Sequence, residues 1–393
     1  MTIFRAPALA ALLALAGVPA DTAAKAVSSQ EATASSSYAL LGPQFGRGVI
    51  DDRLKDAIVD RAHKLLDRDP APAKHIRIEG VSSGQTQAPG VAVKSAETAD
   101  SIARSRTSLE DMEAMLDLAL AWRVTGEKPF LRKACQYIEA WVSTYELSFN
   151  PVDEGRFDNL ILAYDLVETR APKALRGKAD AFMRRMAAGY IEAMETGNVP
   201  IKPTLTNNWQ SHRIKLATLA AYQLGDDQLI ARSHDLFNKQ VDANLRGDGT
   251  TVDFLQRDAL HYVTYSLGSQ LTAAAAAQAH GQDWYSHKGP AGQSLSRTLA
   301  WLGPFARGEQ VHIEFLKSVV PYDRQRAAAG GKTYQNKPWN PATADQVYAL
   351  AASLDPKWFE LSKQLQAANE SESSSGLAED EPREWLYLLR DGK

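Results

Sequence analysis

The chain holds a single cysteine, Cys135, among 393 residues. No intramolecular disulfide can form, and neither a cysteine-rich zinc site nor a CxxC redox pair is available. Charge of one sign is not in excess either: 44 Lys and Arg stand against 47 Asp and Glu, a formal net charge of -3. That balance does not mark a general nucleic-acid binder, although it leaves room for a locally basic cleft that attracts a polyanion. The sequence has no HExxH, no P-loop, no GxGxxG and no GxSxG, and its eight histidines are dispersed without zinc spacing. Zinc-peptidase, nucleotide-dependent and serine-elbow chemistry therefore have no foothold. With no EF-hand-like loop, neither a metal nor a cofactor is expected. What remains is a chain 44% hydrophobic and 23% charged, rich enough in apolar residues to bury a sizeable core.

Long apolar runs are scarce, and the one that stands out is at the start. Met1 to Ala20 has Arg5, an Ala- and Leu-rich stretch from Ala6 to Val18, and small residues at Val18-Pro19-Ala20. This is the outline of a secretory signal peptide over 1–20, and the run is too short to span a bilayer. Residues 21–40, rich in Ala, Ser and Thr, read as a flexible lead-in. Export to a periplasm or to the outside of the cell follows, with no membrane association after cleavage.

From about residue 108 the apolar residues recur at three and four, as in Met112, Met115, Leu116, Ala119 and Leu120 and again in Ile138, Trp141 and Val142. That spacing predicts helices. A helix, a Gly with polar residues after it, and a second helix recur around Gly126-Glu127, Gly225-Asp226-Asp227 and Gly281-Gln282-Asp283, with a further turn at Arg170-Ala171-Pro172. Each Gly suits a left-handed C-cap, and the proline ends one helix and can begin the next. The expected fold is all-α: a single domain over 41–393 built as an α/α toroid, an incomplete barrel of antiparallel hairpins. Residues 76–107 read as a loop or short strand pair, Gly247–Thr251 as a tight turn, 324–341 as a long loop bordering a cleft, and Ser371–Ser375 as a flexible patch.

Two segments stand apart from the Ala/Leu background. Thr206-Asn207-Asn208-Trp209-Gln210-Ser211-His212-Arg213 opens a helix, with Thr206 as a candidate N-cap and Asn208 and His212 one turn apart on one face. Phe254 to Tyr265, if one helix, aligns Asp258, Tyr262 and Tyr265 on one stripe and sets Arg257 and His261 on the next. Taken singly, each segment fits a capped helix, a packed aromatic stripe and a structural Arg–Asp link at least as well as it fits chemistry. Together, on consecutive hairpins, they point to a site.

In these stretches the sequence resembles the alginate lyases of the helical-toroid type and related lyases of other polyuronates. The likeness rests on Asn207-Asn208-Trp209, on Arg257-Asp258-Ala259-Leu260-His261-Tyr262 with Tyr265, on Leu118 to Trp122 followed by Thr125-Gly126, and on Asn159 to Asp165. It implies a lyase in which Tyr262 matches the catalytic tyrosine and Asn208 the carboxylate-binding asparagine, with an acidic polysaccharide as partner. The family pattern puts a histidine directly after that asparagine, where this chain has Trp209, with His212 one turn on. It also puts an arginine seven positions before the tyrosine, where this chain has Leu255 and Arg257 stands nearest. These departures suggest a branch whose preferred sugar need not be mannuronate.

Breaking a 4-linked uronate without water means removing the C5 proton beside a carboxylate that is already negative. Asn208, His212 and Arg257 can offset that charge and favour the enolate-like state. A base then takes the proton while an acid protonates the departing O4. Tyr262 can fill both roles if positive charge lowers its pKa from about 10; alternatively His212 or His261 is the base and Tyr262 the acid. Asn207, Trp209, Gln210, His261 and Tyr265 are the expected substrate-binding residues, with Tyr322 and Trp339 as further stacking faces and Arg213, Lys215, Arg324 and Arg326 as attractants for the polymer. A monomer is expected. The same fold also serves glycoside hydrolases, for which Asp111, Asp158, Asp253 or Asp258 would supply the acids, and a third possibility is a periplasmic binding protein without turnover.

Overall fold

A computed structural model describes residues 37–48, 50–78, 96–199, 204–374 and 384–392. The expected signal peptide and most of the lead-in lie outside these residues. Fourteen α-helices are present among them: α1 (Asp52–Leu65), α2 (Ala96–Thr125), α3 (Lys128–Thr144), α4 (Phe157–Val167), α5 (Lys173–Thr196), α6 (Asn208–Leu224), α7 (Asp227–Asn244), α8 (Val252–Arg257), α9 (Leu260–Ala279), α10 (Leu295–Ala306), α11 (Pro321–Ala328), α12 (Asp345–Leu354), α13 (Phe359–Ser374) and α14 (Glu384–Asp391). Extended pairing in the same residues is limited to two isolated bridges, Leu245 with Thr251 and Ile313 with Pro338.

The helices form an α/α toroid. α2, α4, α6, α9 and α12 pack side by side as the inner wall, while α3, α5, α7 and α13 pack behind them. The composition of each helix explains its layer. Every residue of α4 is buried, α6 is buried almost all round, and α9 carries Ala273 to Ala277, whose small side chains let neighbouring helices approach. Helices buried on all sides belong inside. α3, in contrast, buries the single stripe of Phe130, Ala134, Tyr137, Ile138 and Trp141. Because each hairpin reverses the chain, the inner helices run in one direction, and their N-terminal turns gather at one end.

The turns at Gly126, Gly225 and Pro172 fall where the sequence places them. Gly225 ends α6 at φ 60°, and Asp226 then caps α7 by accepting from the Leu229 N–H at 3.2 Å. The Gly247–Thr251 turn is closed by the Arg246 N–H on the Thr250 carbonyl at 2.9 Å. Five expectations need correction. Residues 96–107 are helical and belong to α2, whereas 79–95 lie outside the described residues. The turn at Gly281 leads not into a helix but into a loop that runs to Leu295. The 324–341 stretch carries most of α11 and a short turn at Lys332–Tyr334, and Ser371 to Ser374 continue α13. The end of the lead-in is firmly packed: the N–H groups of Ala39, Leu40 and Leu41 donate to the buried Asp165 carboxylate at 2.7–2.8 Å. Burial holds that carboxyl up to about 6.

Candidate functional site

The N-terminal turns of α4, α6 and α9 bring both sequence-selected segments to one end of the toroid. Asn207, not Thr206, caps α6: its side chain accepts from the Trp209 N–H at 3.0 Å, and its carbonyl accepts from Gln240. Asn208 is buried, and its amide and backbone N–H both donate to one oxygen of Asp253, at 2.6 and 3.0 Å. Asn244 donates to the other oxygen at 2.9 Å. Burial raises the Asp253 pKa against the lowering effect of these donors. Asp253 thereby fixes the Asn208 amide, which retains a second N–H for another acceptor.

The 254–265 segment is not one helix. α8 ends at Arg257, Asp258 takes a left-handed conformation at φ 50°, and α9 begins at Leu260. The expected stripes of Asp258 with Tyr262 and of Arg257 with His261 are therefore broken at Asp258. That break frees Arg257 to lie over Tyr262, with its guanidinium carbon 3.8 Å from the ring centroid. Asp323 holds Arg257 from the other side with contacts of 2.6 and 3.2 Å. Tyr262 is enclosed, its hydroxyl 3.5 Å from that of Tyr334 and its ring edge-on to Phe315. Burial drives its pKa well above 10, against the lowering effect of Arg257.

The 312–319 segment straps this junction. The Phe315 N–H and the His312 ring donate to the Asp258 carbonyl, the Lys317 N–H donates to the Asp258 carboxylate, and Val319 donates to Gln256. Glu314 is buried and accepts the N–H groups of Leu260 and His261 at 2.8 and 2.9 Å. Those are the first unpaired donors of α9, and a carboxylate suits them. Burial nevertheless pushes its carboxyl up to about 7.

His212 is buried against Tyr265, ring centroids 4.0 Å apart, with Nδ1 3.0 Å from the Ser269 hydroxyl. Its Nε2 is buried and has no hydrogen-bond partner. Burial, reinforced by the Lys215 charge, holds its pKa well below 6.5. Tyr265 is 42% exposed and stacks on His261 at 6.1 Å. The expected site residues thus form three adjoining groups: Asn208 on Asp253, Tyr262 on Arg257, and His212 on Tyr265. His261 bridges the last two, meeting the Tyr262 ring at 5.2 Å.

Several side chains are placed otherwise than expected. Gln210 is buried and accepts from Arg213 at 3.2 Å. Arg213 and Lys215 are buried too, not spread over the surface, and Trp339 lies in the core. Tyr322 accepts from Arg326 and packs on Tyr334, while Arg324 donates to the Ser318 carbonyl. The four carboxylates weighed for hydrolysis are engaged: Asp111 with Trp141 and Arg68, Asp158 with Lys215, Asp253 with Asn208, and Asp258 with the strap. Among the described residues no group of three or more His, Cys, Asp or Glu is placed to hold a metal, and no helix there is long and apolar enough to cross a membrane. Asp323, Glu314, Ser269, Phe315 and Tyr334 escaped the sequence reading. Of these, only Ser269 left a trace, as a polar residue one turn after Tyr265 in an Ala-rich helix.

Solved structures share this toroid. An alginate lyase from Bacteroides ovatus is 19% identical, with 86% of this chain and 93% of that one covered and a TM-score of 0.59. A histidine-to-alanine variant of alginate lyase A1-III of Sphingomonas species A1, in its apo form, is 16% identical over 81% of this chain and 87% of that one, TM-score 0.52. The same variant complexed with a tetrasaccharide is 17% identical over 78% and 82%, TM-score 0.52. Among curated proteins none matches. The fold is that of the toroid lyases, and the sequence makes the chain a polysaccharide lyase. It belongs to the alginate lyase family, whose sequence profile matches residues 63–312.

Proposed function

We propose that the protein cleaves a β-1,4-linked polyuronate, mannuronate-rich alginate or glucuronan, by β-elimination and leaves 4,5-unsaturated uronate ends, acting after export in a periplasm or outside the cell. The observation that carries this reading is the placement of two proton-active groups on neighbouring inner helices: His212 with an unpartnered Nε2 and Tyr262 with its ring against Arg257, joined through the rings of Tyr265 and His261. Tyr262 is driven up and stays a phenol at neutral pH, while His212 is driven down and stays an uncharged imidazole. At neutral pH His212 therefore keeps a lone pair with which to accept a proton and Tyr262 keeps a proton to give.

In this scheme His212 accepts the C5 proton at Nε2, which is buried in this structure and must open to the sugar for the step to occur. The C5–H electrons form the C4–C5 double bond, the C4–O4 bond breaks, and the Tyr262 hydroxyl gives its proton to O4. The two groups return to their starting states by exchanging protons with solvent. Ser269 lies 3.4 Å from the Tyr265 carbonyl and 3.0 Å from His212 Nδ1. If it donates to the carbonyl and accepts from Nδ1–H, the lone pair is left on Nε2. The Asn208 N–H not held by Asp253 is the donor for the substrate carboxylate. Arg257, neutralised in part by Asp323, serves the Tyr262 phenolate that forms as O4 departs rather than the sugar. Tyr334 must leave Tyr262 for the sugar to reach it; the flanking Gly330-Gly331, with Gly330 at φ 80°, provides a bend.

A second assignment has one observation in its favour: Tyr265 is the exposed phenol and it is the one packed against the His212 ring, tilted at 46°. Tyr262→Phe and Tyr265→Phe compared on the same polymer separate the two. The function itself is tested on polymannuronate, polyguluronate, glucuronan and hyaluronan by ultraviolet absorbance, because elimination creates a double bond conjugated to the carboxylate. New reducing ends without that rise would mean hydrolysis, and binding without either would mean a lectin-like role.

A further inference from the structure

The strongest feature outside these assignments is a buried ion pair directly behind His212. Lys215 lies one turn beyond His212 on α6, and its ammonium donates to Asp158 at 2.6 Å and to the Gly155 carbonyl at 2.9 Å. Both charged side chains are more than nine-tenths buried. A pair this dry gains little net stability over an apolar replacement, so its presence calls for another explanation. Gly155 supplies one. A Cβ built there would lie 3.8 Å from His212 Nδ1, 3.7 Å from the Tyr265 hydroxyl and 2.9 Å from the Pro151 carbonyl. The backbone that Lys215 grips is therefore the backbone that closes over the imidazole.

We infer that Lys215 is a positioning residue for His212: Asp158 anchors its ammonium beside the imidazole, and the Gly155 carbonyl lets it fix the turn over that ring. The inference rests on the proposed role of His212 as base. The charged and titratable groups around the ring are Lys215 on its own helix, Asp158 on α4, and Tyr265 on α9 with His261 beyond it. Glu154, in the same turn as Gly155, points away to Tyr145, Ser148 and Tyr190. Lys215 is thus the cation that disfavours a protonated His212, in the same direction as burial.

The test follows the His212 ring by ¹⁵N-detected NMR titration in the full-length mature enzyme, alongside the pH profile of kcat/KM. Lys215→Met should move the imidazole titration, and the acid limb with it, to higher pH by on the order of one unit, and Lys215→Arg should restore both. Because Lys215→Met leaves Asp158 buried without a partner and its negative charge uncompensated near the ring, the Lys215→Met/Asp158→Asn double variant is measured as well; it should show a smaller shift in the same upward direction with a folded circular-dichroism spectrum. An imidazole titration unchanged from wild type in the double variant would overturn the inference. A titration that moves while the acid limb stays put would uphold the Lys215 effect and instead remove His212 from proton transfer.

Discussion

Asp323 holds Arg257 through two nitrogens at 2.6 and 3.2 Å, and the same guanidinium sits 3.8 Å from the centre of the Tyr262 ring. A carboxylate from α11 therefore determines where the cation behind the proposed acid rests, although 66 residues separate the pair. Replacing Asp323 by Asn strands a largely buried arginine. We predict a stability loss of about 3–5 kcal/mol and a drop in kcat larger than any change in KM, since Arg257 serves the phenolate rather than the bound sugar. Urea melts together with steady-state kinetics check both; an unchanged kcat in a folded variant would contradict the role given to Arg257.

Asn208 is the donor assigned to the substrate carboxylate. Asn208→Ala should lower kcat roughly 10²–10³-fold, the usual effect of losing one donor to a developing negative charge. Asp253→Asn keeps the volume but alters the donor pattern around the amide, so it should reproduce a large part of that loss without touching the sugar. Rates followed by ultraviolet absorbance decide, and a normal rate in Asn208→Ala would return this residue to helix capping alone.

The hairpins were legible because helical periodicity and C-capping glycines are local signals. The Gly225-Asp226-Asp227 turn was readable from three residues, and the Asn207–His212 segment stood out as polar within an apolar helix. The break at Asp258 was not readable, because a left-handed non-glycine residue there is imposed by the strap, whose Phe315 and Lys317 N–H groups bind Asp258 from more than 50 positions away. Lys215 and Arg213 looked like surface cations for the same reason: sequence shows a charge but not the distant partner, Asp158 or Thr204, that permits its burial. Asp323 and Tyr334, on the least regular part of the chain, carried no periodic signal at all.

Glu314 makes stability depend on pH in a direction that can be stated. Its folded pKa of about 7 lies above the ordinary glutamate value, so the folded state holds the proton more tightly than the unfolded chain does. The corresponding stability is full below about pH 4.3 and is lost as pH rises through about 7. Glu314→Gln lacks this dependence. The wild-type melting temperature minus that of the variant should therefore be larger at about pH 5.5 than at about pH 8.5. A constant difference would contradict the buried environment assigned to the carboxyl.

Gly155 has no room for a side chain on the side of the Pro151 carbonyl, 2.9 Å from an added Cβ. Gly155→Ala should cost about 1–3 kcal/mol as the turn shifts, and because the turn lies over His212 and Tyr265, kcat should fall as well. Differential scanning calorimetry and turnover measurements test this; a variant with wild-type stability and rate would show that the turn can move without consequence.

The central claim is that an enclosed phenol on α9 gives its proton to the departing O4. Tyr262→Phe deletes only the hydroxyl and keeps the ring that packs on Arg257 and Phe315. The most direct measurement is the initial rate of ultraviolet absorbance increase on polymannuronate and glucuronan for this variant, with Tyr265→Phe measured beside it. The account predicts a fall of roughly 10²–10⁴-fold for Tyr262→Phe with an unaltered fold, and a much smaller loss for Tyr265→Phe. A near-normal rate in Tyr262→Phe, with the collapse appearing in Tyr265→Phe instead, would contradict it.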